Sequence, residues 1–150
     1  MRGVWEFNRP SVDRDWTSIN ARTVSAEFDR ESVRIRNVRS AVWRGENDFD
    51  LHWEDRAYDL ARIRTVDFIV VPFGLGRTMA HTFLTFGSKD GEYVAISVEV
   101  RKERGETYSP VKGMFRHYEI IYVVGDETDL IALRTAIHRE PVYLFPIKQA

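Results

Sequence analysis

Residues 78–101, TMAHTFLTFGSKDGEYVAISVEVR, decide how the rest of the chain is read. Two runs rich in β-branched and aromatic residues flank SKDG, whose residue types favour a turn. A type I turn over Ser88–Gly91, with Gly91 in the left-handed conformation, closes a β-hairpin and fixes its register. Ser88 then stands across from Glu92, Phe86 from Val94, Leu84 from Ile96 and Thr82 from Val98. That side is almost wholly apolar. The other side carries Thr85 across from Ala95, Phe83 across from Ser97 and His81 across from Glu99. Side chains alternate with period two, so a slip of one residue would mix the two sets, and their clean separation supports this pairing. A histidine and a carboxylate thereby meet on neighbouring strands.

Working outward, VDFIVVP at 66–72 is a short continuous apolar run, suited to a strand buried on both faces. GLGRTMA at 74–80 is a glycine-punctuated loop that delivers His81 to the start of its strand. After the hairpin, 101–113 reads as a loop broken by Gly105, Pro110 and Gly113, and then a strand from Met114 to Val124. Asp126 is placed to cap a helix running to about Ile137, with Leu130, Ile131, Leu133 and Ile137 as its apolar stripe. Pro141–Ile147 reads as a last strand. Towards the N-terminus, Thr23–Phe28 and Ser32–Val38 read as strands, with Val33, Ile35 and Asn37 on one face and Ser32, Arg34, Arg36 and Val38 on the other. Residues 40–56 read as a polar loop pinned by Trp43, Phe49, Leu51 and Trp53, and Ala57–Arg64 as one or two turns of helix. A short helix starting near Ser11 would be anchored by Trp5, Phe7, Trp16 and Ile19. The resulting order predicts an α+β domain, a mainly antiparallel sheet with a few flanking helices.

Composition narrows the function classes. The 150 residues are 43% hydrophobic and 13% aromatic, enough material for one well-filled core. The net charge is -1, with both signs interspersed, so there is no electrostatic footprint for nucleic acid. The basic residues from Arg30 to Arg44 are broken by Glu31 and by apolar positions and read as a solvated strand edge. Cysteine is absent, which excludes disulfides, cysteine-held metals and a thiol nucleophile within these residues. No apolar run approaches the ~20 residues that span a bilayer, and MRGVWEFNRP lacks the apolar stretch of a secretion signal.

Among the polar residues, His81 beside Glu99 fits a general base whose tautomer is fixed by an acid, and it also fits a polar patch that merely satisfies itself. Glu99, Arg101 and Glu103 share a strand face; Arg101, with Tyr108 in the next loop, is the candidate for contact with a substrate, although an exposed ion-pair ladder is the simpler reading. Asp48, Asp50, His52, Glu54 and Asp55 are spaced like a solvated acidic loop, since the glycine and closing glutamate of a calcium loop are missing. His117 and His138 lack partners at metal-ligand spacing, so no metal or cofactor is expected. GLG at 74–76 has no lysine-serine pair after it and opens a strand, which argues against a phosphate loop. Ser88 and Ser109 read as turn formers.

The succession WEDRAYDL, VDFIVVPF, AHTFLTFGSKDGEYVAISVEVRKERGETYS, GMFRHYEIIYVVGDETDLIALRT and VYLFP resembles the Lnb N-terminal periplasmic domain family. The likeness runs from about Asn37 to the last residue, while residues 1–36, the N-terminal helix and strands, match less distinctly. The expected division is therefore 1–36 and 37–150, within one structural domain. What the resemblance implies is a circularly permuted papain-like fold of the NlpC type. There the histidine sits on a strand, its polar partner on a neighbouring strand, and a cysteine at a helix N-terminus. His81 falls on the family's histidine, and Glu99 is its partner by hairpin register. The family's cysteine lies in an Asn-Cys-Thr-Thr-like segment beyond VYLFP, so the fold expected here is incomplete and lacks its nucleophile. A sheet lacking that helix would carry an uncovered apolar strip.

The activity implied is cysteine-dependent acyl transfer associated with N-acylation of bacterial lipoproteins, at the periplasmic face of the inner membrane. An acyl donor lipid and a lipoprotein amine would be its partners. Related permuted domains cut amides and esters, so a papain-like hydrolase of peptide amides is an alternative. A non-catalytic binding or assembly module, with a structural His81–Glu99 pair, is another.

Overall fold

Alternation of apolar and polar residues runs through most of this chain, and strand is the structure that puts such a pattern on two faces. The computed structural model describes residues 14–109, 112–113 and 118–148. Eight strands form a single sheet: β1 (Ser25–Asp29), β2 (Ser32–Gly45), β3 (Asp48–Asp59), β4 (Ile63–Phe73), β5 (Met79–Ser88), β6 (Tyr93–Arg101), β7 (Glu119–Asp126) and β8 (Tyr143–Pro146). The helix α1 (Glu127–Ala132) continues from β7 and widens into a π turn over Leu133–Ile137. In the sheet the order is β1-β2-β7-β6-β5-β4-β8, with β3 paired to β2. Neighbours are antiparallel except β2 and β7, which meet in parallel at one pair, Arg39 and Gly125.

The β5–β6 hairpin has the expected register, with Phe86 opposite Val94, Leu84 opposite Ile96 and Phe83 opposite Ser97. Ser88 N–H donates to Glu92 O at 2.8 Å and Gly91 N–H to Ser88 O at 3.1 Å. Gly91 adopts φ 81°, the left-handed value this turn demands.

The expected fold class is corrected. The described residues are mostly strand with one α-helix among them, a curled half-barrel, and not an α+β papain-like (NlpC-type) arrangement with several flanking helices. Two misread segments account for much of the difference. Residues 40–56 are the end of β2 and most of β3, paired from Arg39↔Trp53 to Gly45↔Asp48. Phe49, Leu51 and Trp53 have the period of a strand, masked by the charges between them. Ala57–Arg64 is the end of β3, a 3-10 turn at Leu60–Arg62 capped by Asp59 (which accepts from Ala61 N–H at 2.9 Å), and the start of β4. The helix expected near Ser11 begins outside the described residues, as do Trp5 and Phe7; within them, this part of the chain forms a 3-10 turn at Ser18–Asn20. Residues 114–117, where the strand ending at Val124 was expected to begin, also lie outside them.

Two cores grip the sheet from opposite faces. On one, Ile69, Val71, Phe83, Ala95, Ile121 and Val123 pack under Leu130 of α1. On the other, the curl brings Val33, Ile35 and Val38 over Val124, with Val94 and Ile96 against them. Val38 reaches this side through a bulge between Ile35 and Val38, where Asn37 takes φ 59°. The extra residue reverses the alternation, so Val38 is fully buried and not on the polar face expected of it. The hairpin's apolar side is thus the half-covered one, and its polar-looking side, with Thr85 and Ser97 fully buried, lies under the helix. β4 is likewise buried on one face only, Phe68 remaining 38% exposed.

Candidate functional site

At the end of the sheet where β5 begins, a left-handed Gly74 and Gly76 turn the chain out of β4 and back. His81 therefore emerges next to Val71 on one side and the end of β6 on the other. Its Nε2 lies 2.8 Å from Ser97 Oγ and 3.1 Å from Glu99 Oε1. Ser97 Oγ donates to the same Glu99 oxygen at 2.9 Å. With that hydroxyl proton committed to the acid, Nε2–H is the donor in the cluster, which puts the lone pair of the neutral ring on Nδ1. The expected neighbours do meet.

Arg134, on the π turn, approaches the carboxylate with Nη2 at 3.4 Å from both Glu99 oxygens. Its Nη1 is 3.5 Å from Glu140. His138 lies between Glu46 and Glu140, at 3.7 and 3.8 Å. Burial pushes the Glu99 carboxyl up, but the hydrogen bond and charge of His81, the Arg134 guanidinium and the Ser97 hydroxyl outweigh it and hold the group down at about 2. Glu99 is therefore a fixed anion. A cavity of about 500 Å³ opens beside it, with His81, Glu99, Arg134 and His138 among its polar groups and Phe73, Tyr108, Leu130 and Leu133 among its apolar ones.

Ser97 is not arranged as a nucleophile. Hydroxyl and acid engage the same ring nitrogen, whereas a serine triad needs them on opposite nitrogens, and Ser97 is 1% exposed.

Arg101 stands apart from this cluster. It is 5% exposed, lies 4.1 Å over the Trp16 ring, donates to the carbonyls of Asn20 and Ala21, and pairs with Glu119 at 2.9 Å. Those contacts tie residues 16–21 to the sheet and leave it inside the fold. Tyr108 is 41% exposed on the cavity wall, edge-on to Phe73. Glu103 pairs with Arg14, so the ladder expected along β6 is dispersed among separate partners. Asp48 and Asp50 hold Arg44 at 2.7 and 2.6 Å. Arg39, expected on a solvated edge, is buried against Asp129. His117 lies outside the described residues.

Sequence reasoning missed Ser97, Arg134, Glu140 and His138 as members of the cluster. Ser97 was legible in principle, two residues before Glu99 on the same strand face. Arg134 was not, because nothing in the helical pattern announces a π turn.

An imidazole held against a carboxylate on the wall of a ligand-sized cavity, at a strand end, is the geometry that general acid–base chemistry uses. The chain belongs to the Lnb N-terminal periplasmic domain family, which matches residues 49–149 and takes in β4 to β8 together with His81 and Glu99. No curated protein and no solved structure matches the chain. The family's description is of periplasmic domains; no helix among the described residues is long and apolar enough to cross a membrane.

Proposed function

We propose that this domain supplies the proton-handling part of a cysteine-dependent acyltransferase, with His81 as general base and Glu99 as the acid that orients it. The observation that carries this reading is the Nε2 contact with Ser97 and Glu99 in a residue that lines a ligand-sized cavity, since that contact puts the lone pair of the neutral ring on Nδ1. His81 takes the proton of a thiol that none of these 150 residues provides. The thiolate attacks the acyl carbonyl of a lipid ester, the C–O bond breaks, and the imidazolium returns the proton to the departing alkoxide. A lipoprotein amine then attacks the thioester, the C–S bond breaks and the thiol is regenerated. Tyr108 and Phe73 supply apolar wall for the acyl chain. The match to the Lnb N-terminal periplasmic domain family is consistent with this reading.

The test takes the longest protein that the reading frame encodes around these 150 residues and probes it for a lipid thioester. Formation of the adduct, abolished by His81→Ala and lowered about 10²-fold or more by Glu99→Gln, is expected. No adduct, or one indifferent to His81→Ala, rejects the reading.

A further inference from the structure

A carboxylate in contact with an imidazole orients the ring but also stabilises its protonated form. A ring that keeps its proton cannot take one from a thiol. The site contains a counterweight. Ser97 and His81 crowd one oxygen of Glu99, while Arg134 reaches both oxygens at 3.4 Å. The guanidinium is itself fixed, 18% exposed and 3.5 Å from Glu140. Its place depends on the break in helical geometry after Ala132. His138 N–H closes onto Leu133 O at 3.0 Å and Glu140 N–H onto Arg134 O at 2.9 Å. Such wide turns are uncommon and occur often at functional sites.

We propose that Arg134 is a positioning residue for His81: acting through Glu99, it fixes the carboxylate and shares its charge, so that the acid orients the imidazole without keeping it protonated. This rests on the reading of His81 as a base. The charged and titratable groups around the trio are Glu140 and His138 beyond Arg134, Glu46 against His138, and Arg39, Lys102 and Tyr108 on the cavity wall.

The test is ring ¹⁵N–¹H NMR of His81 across pH in the unmodified protein and in Arg134→Gln, Arg134→Lys and Glu99→Gln. Removing the guanidinium is expected to move the His81 titration midpoint up by about one pH unit. Lysine keeps the charge and should restore most of the original midpoint. Glu99→Gln should move it down and mix the two ring tautomers. An unmoved or lowered midpoint in Arg134→Gln with a native amide spectrum overturns the proposal, as does equal displacement in the lysine variant. Should Arg134→Gln fail to fold, Glu140→Gln decides: it leaves Arg134 to Glu99 alone and should lower the midpoint, and no movement rejects the idea. None of these spectra requires a thiol or a lipid. A longer protein without a thioester would therefore sink the acyl-transfer reading while leaving the Arg134 result standing, and the reverse holds.

Discussion

At Glu99, burial and charge act in opposite directions and charge prevails, leaving the carboxyl at about 2. In the unfolded chain such a group titrates at 4.5, so the folded state binds fewer protons between the two values. The stability Glu99 contributes is therefore complete well above pH 4.5 and is lost as pH falls towards 2. Urea midpoints measured from pH 6 down to pH 2 should fall across that window, with a shallower fall in Glu99→Gln. Asp129 shows the other balance. Burial pushes its carboxyl up against the pull of Arg39 and Trp43. Arg39 holds it with two bonds, at 2.8 and 3.1 Å, and Trp43 Nε1 adds a third at 2.8 Å, all in a setting where Arg39 is 4% exposed. Asp129→Ala strands that guanidinium inside the protein and is expected to cost about 3–5 kcal/mol in chemical denaturation. The double variant Arg39→Met with Asp129→Leu should recover most of it.

Among the elements, β5–β6 was legible because local turn chemistry and the separation of its faces point to one register, and that register alone placed His81 beside Glu99. β3 was legible in period but hidden in composition: Asp48, Asp50, Glu54 and Asp55 suit an exposed strand face as well as a loop. Neither the bulge at Asn37 nor the π turn has a sequence signal strong enough to announce it, so the burial of Val38 and the arrival of Arg134 were out of reach. Nor does any local pattern predict that β2 crosses to β7. That crossing is spatially demanding. A Cβ on Gly125 would lie 2.7 Å from Arg39 O and 2.7 Å from Leu130 Cδ1, and the first of these is backbone. Gly125→Ala should therefore cost about 1–3 kcal/mol by overpacking, read as a lowered urea midpoint. Gly91→Ala meets nothing within 4 Å and should cost only its left-handed φ, about 1–2 kcal/mol.

Across the molecule, the two faces of the sheet are unequally covered. Ile69 is fully buried beneath α1, whereas Ile120 is 67% and Tyr122 60% exposed on the opposite face. Ile69→Ala is expected to cost about 2–5 kcal/mol, and Ile120→Thr no more than about 0.5 kcal/mol, in parallel urea titrations. Apart from β8, which pairs with β4, the same architecture consists of two runs of sequence-adjacent pairings, β1 to β3 and β4 to β7, joined through Arg39 and Gly125. Each run can zip from its own turns in microseconds, whereas their union requires a distant encounter. Until that encounter Val33, Ile35 and Val38 wait in water for the cover of Val124, and in that interval the folding chain is most open to chaperones or to aggregation.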